Sequence, residues 1–326
     1  MRIVIDLTSA GPFHSMPKEW INQLQASLPR HEFISIPHEE LDHAITDTDV
    51  VLTYYIPRET FLKATKLKMI VYAVDGIGPT RLYQEVIDSD VKVINSKGCR
   101  SQALAEHAFA LTLTLTRKIH QMSTTLTKEG WWGNGVIQSS PPTEIFGKTL
   151  GIMGLGEIGR RIARIGKLGF GMHVIGMKRT IQPVEYVDEV VDIKSMKTIL
   201  NQSDILIIAL PETEATKAII GNLELSKIKP GSYLVNISRG SVIDESSLIL
   251  ALKSDLLAGA GLDVFEEEPL PDDSPLRALT NVILTPHAAG VTTYFWERFV
   301  PIIKENILRL EVGKTLLNVT DKVLGY

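Results

Sequence analysis

Short apolar runs alternate with amphipathic polar segments from the first residues of the chain. MRIVIDL, EFISIP, DVVLTYY, LKMIVYAV and VKVIN fall within the first hundred positions; several are rich in β-branched residues and end in Gly, Pro, Asn or Asp. Runs of this kind predict strands of a buried parallel sheet. A helix is predicted next, over residues 101–120. Leu and Thr alternate in ALTLTLT as they would in a strand, but Leu104, Ala108, Leu111 and Leu115 recur at helical spacing. GWWGNGVIQSSPPTEIFG is irregular and turn-rich. A second series follows: KTLGIMG, MHVIGM, DILIIAL, SYLVNIS, AGAGLDVF and NVILTPH, with helical segments such as EIGRRIARIGKL and ESSLILALK between them. Six strands with short helical crossovers predict a doubly wound sheet. After Gly290, YFWERFVPIIKENILRLEVG predicts a closing amphipathic helix, in which Pro301 marks a kink or a start. No internal repeat or low-complexity stretch interrupts this. The chain reads as two α/β units with doubly wound parallel sheets, divided near residues 98 and 290.

Composition adds exclusions. A length of 326 residues suits two domains, and 44% hydrophobic residues suffice for a sizeable core. The 34 basic and 38 acidic residues leave a net charge of −4, mixed in sign, which is no footprint for nucleic acid or an anionic membrane. The single cysteine, Cys99, cannot form an internal disulfide, and Cys/His metal-ligand spacing is absent. The longest apolar run, residues 205–210, falls far short of the ~20 residues of a membrane span. With a strand-like start leaving no room for a signal peptide, the expectation is a cytoplasmic protein with a small-molecule partner and no metal.

The strongest local motif is GLGEIG, comprising Gly154, Leu155, Gly156, Glu157, Ile158 and Gly159, between a strand-like KTLGIM and a helix carrying Ile158, Ile162 and Ile165 at helical spacing. The first glycine permits a tight turn, the second lets backbone N–H groups approach a pyrophosphate, and the third lets helix and strand pack closely. In that context the motif predicts a dinucleotide site. A ribose-binding carboxylate is expected about 20 residues on, but MHVIGMKRT ends in Lys178, Arg179 and Thr180, and the next acid is Glu185. A carboxylate repels a 2′-phosphate and an arginine attracts one. The expectation is NADP, with NAD possible, against the plainer reading of Lys178 and Arg179 as solvated surface charges.

Three further groups follow predicted strands. Arg239 comes after SYLVNIS, Glu268 a short loop after AGAGLDVF, and His287 after NVILTP. Ligands of open α/β sheets bind outside those strand ends. A guanidinium can hold a carboxylate bidentately, an imidazole can pass a proton to or from a carbonyl oxygen, and a carboxylate bonded to the imidazole fixes its tautomer. Singly, each has a bland reading: a surface ion pair, a solvated acidic run, a loop cap. Their joint placement predicts a catalytic set.

Together, GLGEIG, NISRG, GLDVFEEEP and TPHAAG resemble the D-isomer-specific 2-hydroxyacid dehydrogenases, in order and spacing over residues 95–290 and more loosely elsewhere. The resemblance implies reversible, nicotinamide-dependent hydride transfer between 2-keto acids and D-2-hydroxy acids. It assigns the carboxylate clamp to Arg239, the general acid/base to His287 and its orienting partner to Glu268, the acid directly before the proline. Asp263 corresponds to the family's aspartate near the nicotinamide carboxamide. Leu210, Pro211 and Thr216 match the loop beside the cofactor; Ile237, Ser238 and Ala289 join the expected cofactor contacts. The fold implied is a Rossmann cofactor domain, residues 99–289, inserted into a flavodoxin-like substrate domain of residues 1–98 and 290–326, with a two-fold dimer built on the 101–120 region. Two departures stand out. Lys178 replaces the family's ribose carboxylate, and the usually glycine-rich substrate loop reads YAVDGIGP, leaving Val74, Asp75 and Gly76 as candidate backbone donors to the substrate carboxylate. Trp131, Trp132, Tyr294 and Trp296 could line the pocket but read more simply as core or interface. The rival class is a nucleotide-sensing binding protein on the same scaffold, against which the compact chain argues. A formate- or phosphite-oxidising relative ranks lower, because formate enzymes carry glutamine where Glu268 stands.

Overall fold

The computed structural model describes residues 1–7, 15–78, 81–129, 141–323 and 325. Trp131 and Trp132 lie outside them. The chain divides into two compact units, Met1–Arg100 with Val291–Tyr326, and Ser101–Gly290.

The first unit holds a five-stranded parallel sheet of β1 (Arg2–Asp6), β2 (Glu32–Ser35), β3 (Val50–Thr53), β4 (Met69–Tyr72) and β5 (Lys92–Ile94), in the order β2-β1-β3-β4-β5. This is the flavodoxin-like doubly wound order. β3 and β4 are buried at every position, as strands covered on both faces, and Thr53 is the polar residue among them. One sheet face packs Ile3, Ile5, Leu52 and Val71 against Phe295, Trp296, Phe299 and Ile303 of the helix Phe295–Glu311, which runs through Pro301 in one piece. Pro301 is therefore not the helix start; tertiary burial of the aromatic face outweighs the lost N–H. Trp296, 6% exposed, is core, whereas Tyr294 is 56% exposed. The Cys99 thiol is buried here, and burial pushes its pKa up to about 12.

The second unit carries a seven-stranded parallel sheet: β6 (Thr149–Met153), β7 (His173–Met177), β8 (Glu189–Val191), β9 (Ile205–Ile208), β10 (Ser232–Asn236), β11 (Leu257–Leu262) and β12 (Val282–Leu284). Its order, β12-β11-β10-β9-β6-β7-β8, reverses between β6 and β9, as in a Rossmann fold. β8, a three-residue edge strand, is the one not expected from sequence. The predicted 101–120 helix is two: Ser101–Thr116 and Ile119–Glu129, separated at Lys118, whose φ of 56° lies in the left-handed region. Thr112 and Thr116 sit buried inside the first of these because their hydroxyls donate to the carbonyls of Ala108 and Thr112, at 2.8 and 2.9 Å. Among the described residues no helix is long and apolar enough to cross a membrane.

Candidate active site

The glycine motif lies where the strand order of the second unit reverses. Gly154 has φ +107°, and a Cβ there would meet the Ala209 carbonyl oxygen at 2.6 Å, so only glycine lets β6 turn this close to the end of β9. A Cβ on Gly159 would overlap the Gly154 carbonyl, which lets the helix Glu157–Phe170 start hard against the strand. At Gly156, the helix N-cap, a Cβ would meet nothing within 4 Å. The N–H groups of Glu157, Ile158 and Gly159 open that helix and have no intrahelical acceptor. Two glycines thus serve packing, while the third fronts open space before a helix N-terminus, the cradle a pyrophosphate fits. Leu155 is buried, and its N–H and that of Gly154 donate to the Met177 carbonyl, tying the motif to β7.

Lys178, Arg179 and Thr180 follow β7 directly. Lys178 is half-buried, its N–H donating to Val191; Arg179 and Thr180 are exposed. Leu210 and Pro211 follow β9. The Thr216 hydroxyl donates to the Pro211 carbonyl at 2.7 Å and accepts from the Thr213 N–H at 2.8 Å, closing that loop on itself.

The three proposed catalytic groups emerge from the neighbouring strands β10, β11 and β12. His287 Nδ1 lies 2.7 Å from Glu268 Oε2. A carboxylate only accepts, so Nδ1 carries the proton and Nε2 is the nitrogen left to exchange one. The other carboxylate oxygen, Glu268 Oε1, accepts the Phe265 N–H at 3.0 Å. Arg239 is half-buried, and its Nη1 donates to the Ser238 carbonyl at 2.7 Å. Asn236 shapes that turn: its Oδ1 accepts the Ser238 N–H and hydroxyl, and its Nδ2 donates to the Arg239 carbonyl. Ile237 and Ser238 are buried. Gly240 is pressed against the main chain of Phe265 and Glu266, where no Cβ fits. The loop carrying Arg239 therefore stacks on the loop carrying Glu268.

His287 itself has φ +50°, in the left-handed region that few non-glycine residues enter. The residue holding it there is Asp263, 1% exposed at the end of β11. Its main-chain oxygen accepts the His287 N–H at 2.9 Å, a bond shared with the Thr285 carbonyl at 3.0 Å, and its carboxylate accepts the N–H groups of Ala288 and Ala289, each at 2.9 Å, and the Thr285 hydroxyl at 2.6 Å. Asn236, Thr285 and His107, which bonds Thr285, escaped the sequence reading. Thr285, two residues before His287 and just past β12, was the signal available.

In the first unit, the Val74–Gly76 loop is locked in place. Asp75 Oδ1 accepts from the Ser96 hydroxyl at 2.6 Å and from Arg100 Nη1 at 3.1 Å, and the Ser96 N–H donates to the Val74 carbonyl. Arg100 also donates to Ala73 and lies over the Phe295 ring, 3.6 Å from its centre. The acid in this loop thus has its own cation. Among the described residues no group of three or more metal-ligating side chains occurs.

The family model for the D-isomer specific 2-hydroxyacid dehydrogenase NAD binding domain matches residues 109–289. A glyoxylate reductase from Pyrococcus furiosus is 34% identical over 320 residues, covering 93% of each chain. The chain belongs to the D-isomer specific 2-hydroxyacid dehydrogenase family. It is accordingly an NAD(P)-dependent oxidoreductase of the kind that acts on CH–OH groups. The crystal structure of a family member from Xanthobacter autotrophicus Py2, in complex with NADPH and MES, superposes with TM-score 0.84 at 28% identity, covering 100% of this chain and 99% of that one. An NADPH-dependent glyoxylate/hydroxypyruvate reductase from Sinorhizobium meliloti, in complex with NADP and sulfate, superposes with TM-score 0.83 at 26% identity over 100% and 99%.

Proposed function

We propose that this dehydrogenase reduces small 2-keto acids, glyoxylate- or hydroxypyruvate-like or somewhat larger, with NADPH preferred over NADH. The observation that carries the reading is the His287–Glu268 pair, 2.7 Å apart, at the ends of the strands beside Arg239. When bound, the reduced cofactor supplies the hydride. The chain's own groups do the rest. His287, its Nδ1–H committed to Glu268, offers Nε2–H to the substrate oxygen as that oxygen gains charge. Arg239 clamps the carboxylate and polarises the carbonyl. Gly156, Glu157, Ile158 and Gly159 receive the pyrophosphate, with Gly154 and Leu155 shaping the turn beneath them. Leu210, Pro211, Thr216, Ile237, Ser238, Asp263 and Ala289 line the nucleotide, with Asp263 acting through the loop it anchors.

NADP preference rests on the end of β7, where no carboxylate stands between Met177 and Glu185 and Lys178, Arg179 and Thr180 take its place. Lys178→Ala/Arg179→Ala is expected to raise KM for NADPH by about 10- to 100-fold, the worth of one or two charge-assisted bonds, with KM for NADH changed less than threefold. Steady-state assays of the wild type with glyoxylate, hydroxypyruvate and phenylpyruvate, each with both cofactors, test substrate and cofactor together. No turnover with any of the three sinks the substrate reading; equal use of both cofactors sinks the preference.

A two-fold dimer through the 101–120 region belongs to the same reading. The inner face of Ser101–Thr116 is spent within its own unit, so among the described residues Ile119, 48% exposed, is the large exposed apolar side chain of that region, and Leu126, 54% exposed, extends it along the next helix. Light scattering should give twice the monomer mass, and Leu126→Glu should halve it.

A further inference from the structure

We infer that His107 is a positioning residue for His287, acting through a hydrogen-bond chain that fixes the loop of residues 285–289. The inference rests on the reading of His287 as the acid/base. His107 lies on the helix Ser101–Thr116, 178 residues from Thr285, with its ring largely buried. Its Nε2 is 3.0 Å from Thr285 Oγ1 and 3.6 Å from Asp263 Oδ1.

The proton count sets the direction of the chain. Thr285 has one hydroxyl proton and gives it to Asp263 Oδ1 at 2.6 Å, so the bond between Thr285 and His107 has its donor on the ring. Nε2 therefore carries a proton. The chain runs from His107 Nε2–H to the Thr285 hydroxyl to the Asp263 carboxylate, which also holds the Ala288 and Ala289 N–H groups. Donors in series polarise one another, so the far end of the chain strengthens the near one.

The load on that carboxylate is unusual. Asp263 is buried, and a buried carboxylate is stable only where its acceptor capacity is met. Oδ1 takes the Thr285 hydroxyl and the Ala288 N–H, Oδ2 takes the Ala289 N–H, and the main-chain oxygen of the same residue takes the His287 N–H. One residue thereby fixes the main chain at 287, 288 and 289 while His287 sits at φ +50°. Such a backbone persists only where its surroundings over-determine it. His107 supplies the outermost donor. Its polar partners are Thr285 and Asp263, not Glu268 or His287, so it is not a catalytic residue; it sets the backbone from which the catalytic ring projects.

The test uses His107→Leu, which removes the donor, His107→Gln, whose side-chain N–H reaches about as far as Nε2–H, and Thr285→Val, which cuts the next link. Two readouts are taken. Native-state amide exchange at His287, Ala288 and Ala289 needs no turnover, and kcat is read beside KM for NADPH. In H107L and T285V the three amides are expected to exchange at least tenfold faster, with kcat down about tenfold and KM for NADPH within twofold. H107Q is expected to bring both readouts to within threefold of wild type. Exchange at the three amides and kcat within twofold of wild type in H107L would overturn the inference. So would an H107Q variant no better than H107L, or faster exchange spread evenly along the helix Ser101–Thr116, which marks simple loss of packing. Absence of keto-acid turnover in the wild type would defeat the functional reading and leave the exchange comparison intact.

Discussion

His287→Asn is expected to lower kcat for keto-acid reduction by about 10²- to 10⁴-fold, the usual worth of a positioned acid/base, with cofactor affinity changed less than threefold. Asparagine suits the test for a local reason. Position 287 has φ +50°, where asparagine is among the tolerated residues and a β-branched replacement is strained. An asparagine N–H can also keep the bond to Glu268 that Nδ1 now makes, so the loop and the carboxylate stay as they are while the transferable proton is lost. Steady-state kinetics with fluorescence titration of NADPH separates the two effects. Unchanged kcat takes His287 out of the mechanism, whereas a parallel collapse of cofactor binding points to a disrupted loop.

Gly240→Ala is expected to damage stability and activity together. The added methyl would fall inside the carbonyl carbon and oxygen of Phe265 and crowd the Glu266 nitrogen. These are main-chain atoms and cannot swing aside as a side chain can. Overpacking of this sort costs about 1–3 kcal/mol, and in a unit of this size each kcal/mol lowers Tm by roughly 2–4 °C. The larger effect is on catalysis. The only relief is for the Arg239 loop to part from the Glu268 loop, and a displacement near 1 Å can cost about 10²-fold in rate. Melting curves and kcat/KM on the same preparation decide it; wild-type values of both would show that the stacked loops do not set the site.

Much of this was legible along the chain, for identifiable reasons. β3, β4, β9 and β10 are predominantly apolar and buried at every position because both faces of a parallel strand are covered. β8 was not legible. Only three residues long, it lies at the sheet edge and begins with Glu189. The break at Lys118 was hidden because the helices on either side both fit an apolar periodicity, and the turn between them uses a residue type with no turn preference. In the site, Arg239, Glu268 and His287 announce themselves by following strands in motifs of fixed spacing. The anchoring by Asp263, Thr285 and His107 does not. It depends on a helix meeting the end of a strand 178 residues later, and neither local composition nor periodicity encodes that meeting.

The split of the first unit across the sequence also orders the protein's own synthesis. Its five strands lie within residues 2–94, yet the aromatic helix that covers one face, Phe295–Glu311, is made only after the whole of the second unit. The intervening unit is complete by Gly290 and can fold while the earlier strands wait with Ile3, Ile5, Leu52 and Val71 uncovered. The nascent protein is thus most prone to aggregate through the strands of residues 2–94, and synthesis of Phe295–Glu311 ends that exposure.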